Sequence, residues 1–107
     1  MTKGVNERMV KSFLDLFVLS LLDNGGKHGY EIMRELKAKT GAHIGAGTLY
    51  PLPYELEERR LVAGEWMSQT RRSRRLYRIT DQGEKYRTQS FQGLGRLLRV
   101  SFPNSNC

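Results

Sequence analysis

Apolar residues along this 107-residue chain fall three and four apart up to about residue 60, two apart over 61–80 and at helical spacing again beyond, and that succession limits the folds open to it. Over 5–23, Met9, Val10, Phe13, Leu14, Phe17, Val18, Leu21 and Leu22 fall on one helical face. Leu16 and Leu19 add apolar surface beyond that stripe, so a second packing partner, such as another copy of the chain, is expected. Asp23-Asn24-Gly25-Gly26 is a dense turn signal. Tyr30, Ile32, Met33 and Leu36 then mark a shorter helix over 29–39, a glycine-rich stretch over 41–47 interrupts the pattern, and Leu49, Leu52 and Leu56 resume it in a third helix over 46–60. Two short helices joined by a glycine-containing turn form a helix-turn-helix.

Beyond residue 60 the alternation is that of strands. Val62 and Trp66 share one face of 61–68, and Tyr77 and Ile79 alternate with Leu76 and Arg78 over 75–80. These runs predict a β-hairpin, or wing, over 61–80, with Trp66 in the core and a polar, basic tip over 69–74. Thr80 is placed to cap a last helix over 81–102, with Asp81 and Glu84 in its first turn, where the helix dipole favours them. Such a helix runs roughly 28 Å at about 1.5 Å per residue. Its apolar residues, Phe91, Leu94, Leu97, Leu98 and Phe102, come too late to reach a small core, and that stripe also asks for a partner. The expected fold is mainly α with a small β-hairpin: a winged helix-turn-helix domain over 1–80, a C-terminal dimerisation helix over 81–102 and a tail over 103–107.

Composition narrows the function. Apolar residues at 38% suit a folded domain, and 18 Lys plus Arg against 11 Asp plus Glu give a net charge of +7 that attracts a polyanion, with double-stranded DNA the first choice. A domain of this size buries a modest fraction of its surface and gains from self-association. Cys107, at the end of the chain, has no partner for a disulfide or a zinc site. The longest apolar run, 13–22, is broken by Asp15 and Ser20 and is too short to span a bilayer, so no membrane partner and a cytoplasmic location are expected. His28 and His43 lack the carboxylate, cysteine or serine neighbours of a triad or metal site, and the glycines before Thr48 lack a Gly-Lys-Ser/Thr ending. Neither an enzyme nor a bound cofactor is expected.

Arg71, Arg72, Arg74, Arg75 and Arg78 crowd the wing with no acidic residue between Glu65 and Asp81, and guanidinium groups both neutralise phosphates and fork onto them. Helix three should enter the major groove, presenting Gly47, Thr48 and Tyr50 while Leu49, Leu52 and Leu56 face inward. His28, Lys37 and Lys39 around helix two are supporting phosphate contacts. Val10, Leu14 and Phe17 on helix one, with Phe91, Leu94, Leu97 and Leu98 on the last helix, are the expected dimer interface. A protein-binding winged helix and a sequence-independent DNA binder remain alternatives on these residues alone.

His28-Gly29-Tyr30-Glu31-Ile32, Gly47-Thr48-Leu49-Tyr50-Pro51-Leu52 with Leu56-Glu57 and Leu61-Val62, and Leu76-Tyr77-Arg78-Ile79-Thr80-Asp81-Gln82-Gly83 resemble the signature segments of PadR-type transcriptional regulators over about 12–87. The resemblance implies a homodimeric winged-helix regulator, often a repressor. The single terminal helix is similar to the short subfamily, in which that helix pairs with helix one of the partner subunit. A small-molecule effector, where one exists, would then sit at the dimer interface. Two departures stand out: Gly45 and Ala46 replace the family's polar cap and proline, implying a looser helix start, and Pro53 implies a bent or displaced recognition helix.

Overall fold

The computed structural model describes residues 3–41, 44–66 and 75–101. Helix α1 (Lys3–Leu21) runs into a 3-10 turn (Leu22–Asn24). The two-residue strand β1 (Lys27–His28) leads into α2 (Gly29–Thr40). Helices α3 (Ala46–Leu49) and α4 (Leu52–Glu58) precede β2 (Val62–Trp66), β3 (Arg75–Ile79) and α5 (Asp81–Ser101). The expected fold is present: mostly helical, with a three-stranded antiparallel sheet in the order β1-β3-β2. Val62 faces Ile79 and Trp66 faces Arg75 across the hairpin, and Lys27 faces Tyr77 on the other side of β3.

The inward stripes meet as anticipated. Val18, Leu19 and Leu22 pack with Ile32 and Leu36 of α2 and with Leu49, Leu52 and Leu56, all nearly inaccessible; Leu61, Val62 and Tyr77 close the core on the sheet side. Leu14, expected at the dimer interface, belongs to this core, and Leu16 and Leu19 are likewise buried within one chain. The width of α1's apolar face is therefore explained in large part by α2, α4 and α5 packing around it.

The expected helix over 46–60 is two helices. Gly45, the residue before α3, offers no side-chain cap, as its lack of a side chain dictates. Tyr50 and Pro51 keep right-handed backbone angles between the two pieces, but Pro51 and Pro53 have no N–H to continue the ladder. By restarting at Leu52 the chain puts Pro53 in a first turn, where its missing donor costs least.

The end of α4 fixes where the wing and α5 begin. Arg60 adopts a left-handed φ of 65°, its N–H reaches Glu57 O at 2.9 Å, and Leu61 N–H reaches Leu56 O at 3.0 Å. This double closure satisfies the last carbonyls and drops Leu61 into the core beside Leu56. Thr80 joins the same corner. Its hydroxyl donates to Arg60 O at 2.7 Å and accepts from Gly83 N–H at 3.0 Å, which makes it the expected cap of α5. Gly83 sits so close that an added Cβ would lie 2.0 Å from Leu61 O.

Asp15, buried on α1, accepts a 2.8 Å bond from Arg59 beside the end of α4, and the same guanidinium lies 5.3 Å from the Tyr86 ring on α5. Burial pushes the Asp15 carboxyl up and Arg59 pulls it back, with a net shift upward from its ordinary value. Three helices are thereby tied at one point.

Candidate nucleic-acid interface

Helix α2 starts at a corner that its own side chains close. His28 N–H donates to Glu31 Oε1 at 2.7 Å, which holds that carboxyl below its usual range, and the His28 ring stacks on Tyr30 with centroids 5.3 Å apart. His28, expected to contact phosphate, thus has a capping and stacking role with its side chain 27% exposed. Arg34 lies 5.9 Å from the other member of that stack, Tyr30.

From the last turn of α2, Lys37 reaches the α3–α4 segment over 46–58, the reading segment expected from the sequence to enter the major groove. Its Nζ donates to the Tyr50 hydroxyl at 2.7 Å and sits 4.9 Å from the Tyr50 ring centroid. Tyr50 is 50% exposed, Gly47 is exposed with open space where a Cβ would be, and Thr48 is half-buried one turn before Pro51. Leu49, Leu52 and Leu56 point into the core, so the same short segment has one apolar side inward and one polar, aromatic side outward. Lys39 is exposed at the end of α2. Tyr54, 57% exposed, adds a second ring to the outer side of α4.

The wing separates its arginines by strand geometry. Arg75 and Tyr77 point to one face and Arg78 to the other, because successive strand residues alternate. Arg75 donates through Nε to Glu57 Oε1 at 3.3 Å and through Nη2 to Glu57 Oε2, and it lies 5.0 Å from the Trp66 ring centroid. The Glu57 carboxylate holds its guanidinium firmly charged and turned toward α4. Arg75, expected on phosphate, ties the wing to α4. Arg78 is 60% exposed in its side chain, with Glu65 a loose 3.6 Å away, and stays available to a polyanion. Arg71, Arg72 and Arg74 lie outside the described residues.

Trp66 corrects another expectation: it is 54% exposed rather than core, at the far end of β2 from Val62, and Arg75 on the facing strand lies against its ring. Tyr77 holds the inner position instead, its hydroxyl pushed up to about 12 by burial. Gly64, opposite Tyr77, leaves the space this needs, since a Cβ there would stand 2.8 Å from Arg75 Nε and 3.0 Å from the Tyr77 ring.

Sequence reasoning missed strand β1, the outward rings of Tyr30 and Tyr54, and the inward turn of Arg75. Only the last had a usable signal: its even spacing from Tyr77 and Ile79 on an alternating strand.

Away from the reading head, Phe13 on α1 and Phe91, Leu97 and Leu98 on α5 are between 45% and 65% exposed, with Leu94 half-buried among them. Val10 and Phe17 are partly covered by the core, unlike Leu14, which is wholly taken up by it. Among the described residues no helix is long and apolar enough to cross a membrane, and no cluster of metal-ligating side chains occurs.

Comparison with known proteins agrees with this architecture. The model of the transcriptional regulator PadR-like family matches residues 18–89, more than half of the chain. A transcriptional regulator from Clostridium thermocellum is 30% identical, with a TM-score of 0.72 over 92% of this chain and 96% of that one. A PadR-like transcription factor from Bacteroides fragilis is 26% identical, with a TM-score of 0.75 over 92% and 95%. A PadR family transcriptional regulator from Eggerthella lenta is 29% identical, with a TM-score of 0.67 over 97% and 96%. No curated protein matches the chain in sequence.

Proposed function

The chain belongs to the PadR-like family of DNA-binding transcriptional regulators, and from that premise we propose that it works in the cytoplasm as a homodimeric repressor of a pseudo-palindromic operator. The observation that carries the dimer is the set of apolar side chains left uncovered on α5, with Leu97 at 65%, Leu98 at 48% and Phe91 at 45% exposure, together with Phe13 on α1. Large apolar side chains left open at helical spacing along one helix are unusual on a chain that works alone. Pairing through α5 and α1 would set two reading segments at a fixed separation, and the half-sites they read should lie about 34–36 Å apart.

In this reading, Gly47, Thr48 and Tyr50 approach base edges or phosphates in the major groove. Lys37 and Lys39 support them from α2, and Arg78 with the tip arginines 71, 72 and 74 grips flanking phosphates. An effector at the dimer interface would change affinity through its preference for one spacing of the two heads.

Selection from a pool of randomised duplexes tests the operator, alongside sedimentation of the free protein. The proposal expects a dimer and an enriched pseudo-palindrome whose half-sites are one helical turn apart. A monomer that enriches a single half-site, or a pool that stays random, contradicts it.

A further inference from the structure

A pocket of about 240 Å3 opens where α2, the α3–α4 segment and the wing meet. Tyr30 and Met33 line it from α2, Tyr50 and Tyr54 from the reading segment, and Arg75 and Tyr77 from β3. Tyr77 is buried within its wall, with the Tyr54 ring edge-on to it at 6.5 Å, while Tyr30, Tyr50 and Tyr54 are between 43% and 57% exposed around the opening. An engineered cavity of about 150 Å3 holds benzene, so this one has room for one or two fused rings.

The lining also states a charge. Among the described lining residues the one cation is Arg75, which is held by Glu57 and lies against the Trp66 and Tyr77 rings. An ionic ligand would lose hydration against a guanidinium already paired with Glu57, while the nearby Lys37 ammonium is engaged with the Tyr50 hydroxyl and ring and does not line the pocket. Ring faces and a thioether suit a flat, uncharged π-system. The Tyr50 hydroxyl accepts from Lys37, which leaves its own O–H to meet an acceptor.

We propose that this pocket binds an uncharged aromatic molecule of one or two rings, and that occupancy lowers affinity for DNA. The site is separate from the α1 and α5 face. A ligand there touches the two tyrosines of the reading segment and the strand that carries the wing, so it favours whichever head geometry fits it best. The second half of the proposal rests on the DNA reading above; the first does not.

The test uses the whole chain without DNA, with indole as the probe and benzoate and cyclohexanol as comparators, read by amide and methionine-methyl NMR shifts. Saturable indole shifts should centre on Met33 and Tyr54, with much weaker responses to both comparators. Tyr54→Ala and Tyr30→Ala should each weaken indole at least about tenfold while keeping the wild-type thermal transition within a few degrees. The same shifts mapping to Leu94 and Leu98, no saturation, or equal binding of benzoate or cyclohexanol would overturn the site. Saturating indole should then weaken operator binding about tenfold. Unchanged operator affinity with the pocket filled overturns the control, whereas failure to bind any duplex without indole counts against the DNA reading instead.

Discussion

The Lys37 ammonium donates to the Tyr50 hydroxyl at 2.7 Å and lies 4.9 Å from that ring's centroid, joining the last turn of α2 to the segment between α3 and α4. It orients the side chain that stands at the outer edge of the reading segment, beside the break imposed by Pro51. Tyr50→Phe keeps the ring and removes the bond. Operator affinity should fall about fivefold, the scale of one modest hydrogen bond. Lys37→Met removes a cation as well, so it should also lower the salt dependence of binding by about one counterion, measured by anisotropy across a salt series.

Arg75 and Arg78 are close in sequence but should fail differently. Arg75 is tied to Glu57 and covered by Trp66, so Arg75→Gln should lower stability by about 1–3 kcal/mol in urea unfolding, by stranding a partly buried carboxylate. Arg78 is exposed, so Arg78→Gln should leave the unfolding midpoint within error and weaken all duplexes alike. The reverse pattern would show that the strand faces are assigned the wrong way round.

Gly83 lies against the corner that joins reading helix, wing and α5. A methyl group 2.0 Å from the Leu61 carbonyl cannot be absorbed by side-chain motion, so Gly83→Ala should cost about 3 kcal/mol, read from thermal unfolding. Gly47→Ala meets open space and is the matched control for stability.

Asp15 gives a pH signature. Its carboxyl is raised above 3.8 by burial, so the folded state holds that proton more tightly than the unfolded state does. The contribution of Asp15 to stability is therefore fully present below pH 3.8 and is lost as pH rises through the raised value. Asp15→Asn, which cannot titrate, should gain on the wild type as pH increases through that window. Urea unfolding at about pH 3.5 and pH 6.5 measures this, and a difference that moves the other way would mean that Arg59 outweighs burial.

Much of this was legible in the residues, for physical reasons that also set the limits. Helices α1, α2 and α5 carry apolar groups at the helical repeat, and Thr80 with Asp81 and Glu84 announces the start of α5. The β2–β3 hairpin shows as alternation. Strand β1 does not, because two residues pairing through backbone alone leave no side-chain pattern. Alternation assigned Trp66 to a face but could not show that the face runs beyond its cover. Pro53 drew attention to a distortion whose centre lies at Pro51. Leu14 and the exposed residues of α5 are alike in sequence, and only packing divides those that a single chain buries from those it leaves open.

The central claim, sequence-specific binding of DNA by this chain, is tested most directly by fluorescence anisotropy. A labelled duplex carrying the selected pseudo-palindrome is titrated against a scrambled duplex of equal length at two salt concentrations. The account predicts at least about a thousandfold preference for the selected duplex, and affinity that falls steeply with salt for both. Equal affinity for the two duplexes, or no binding to either at moderate salt, would contradict it.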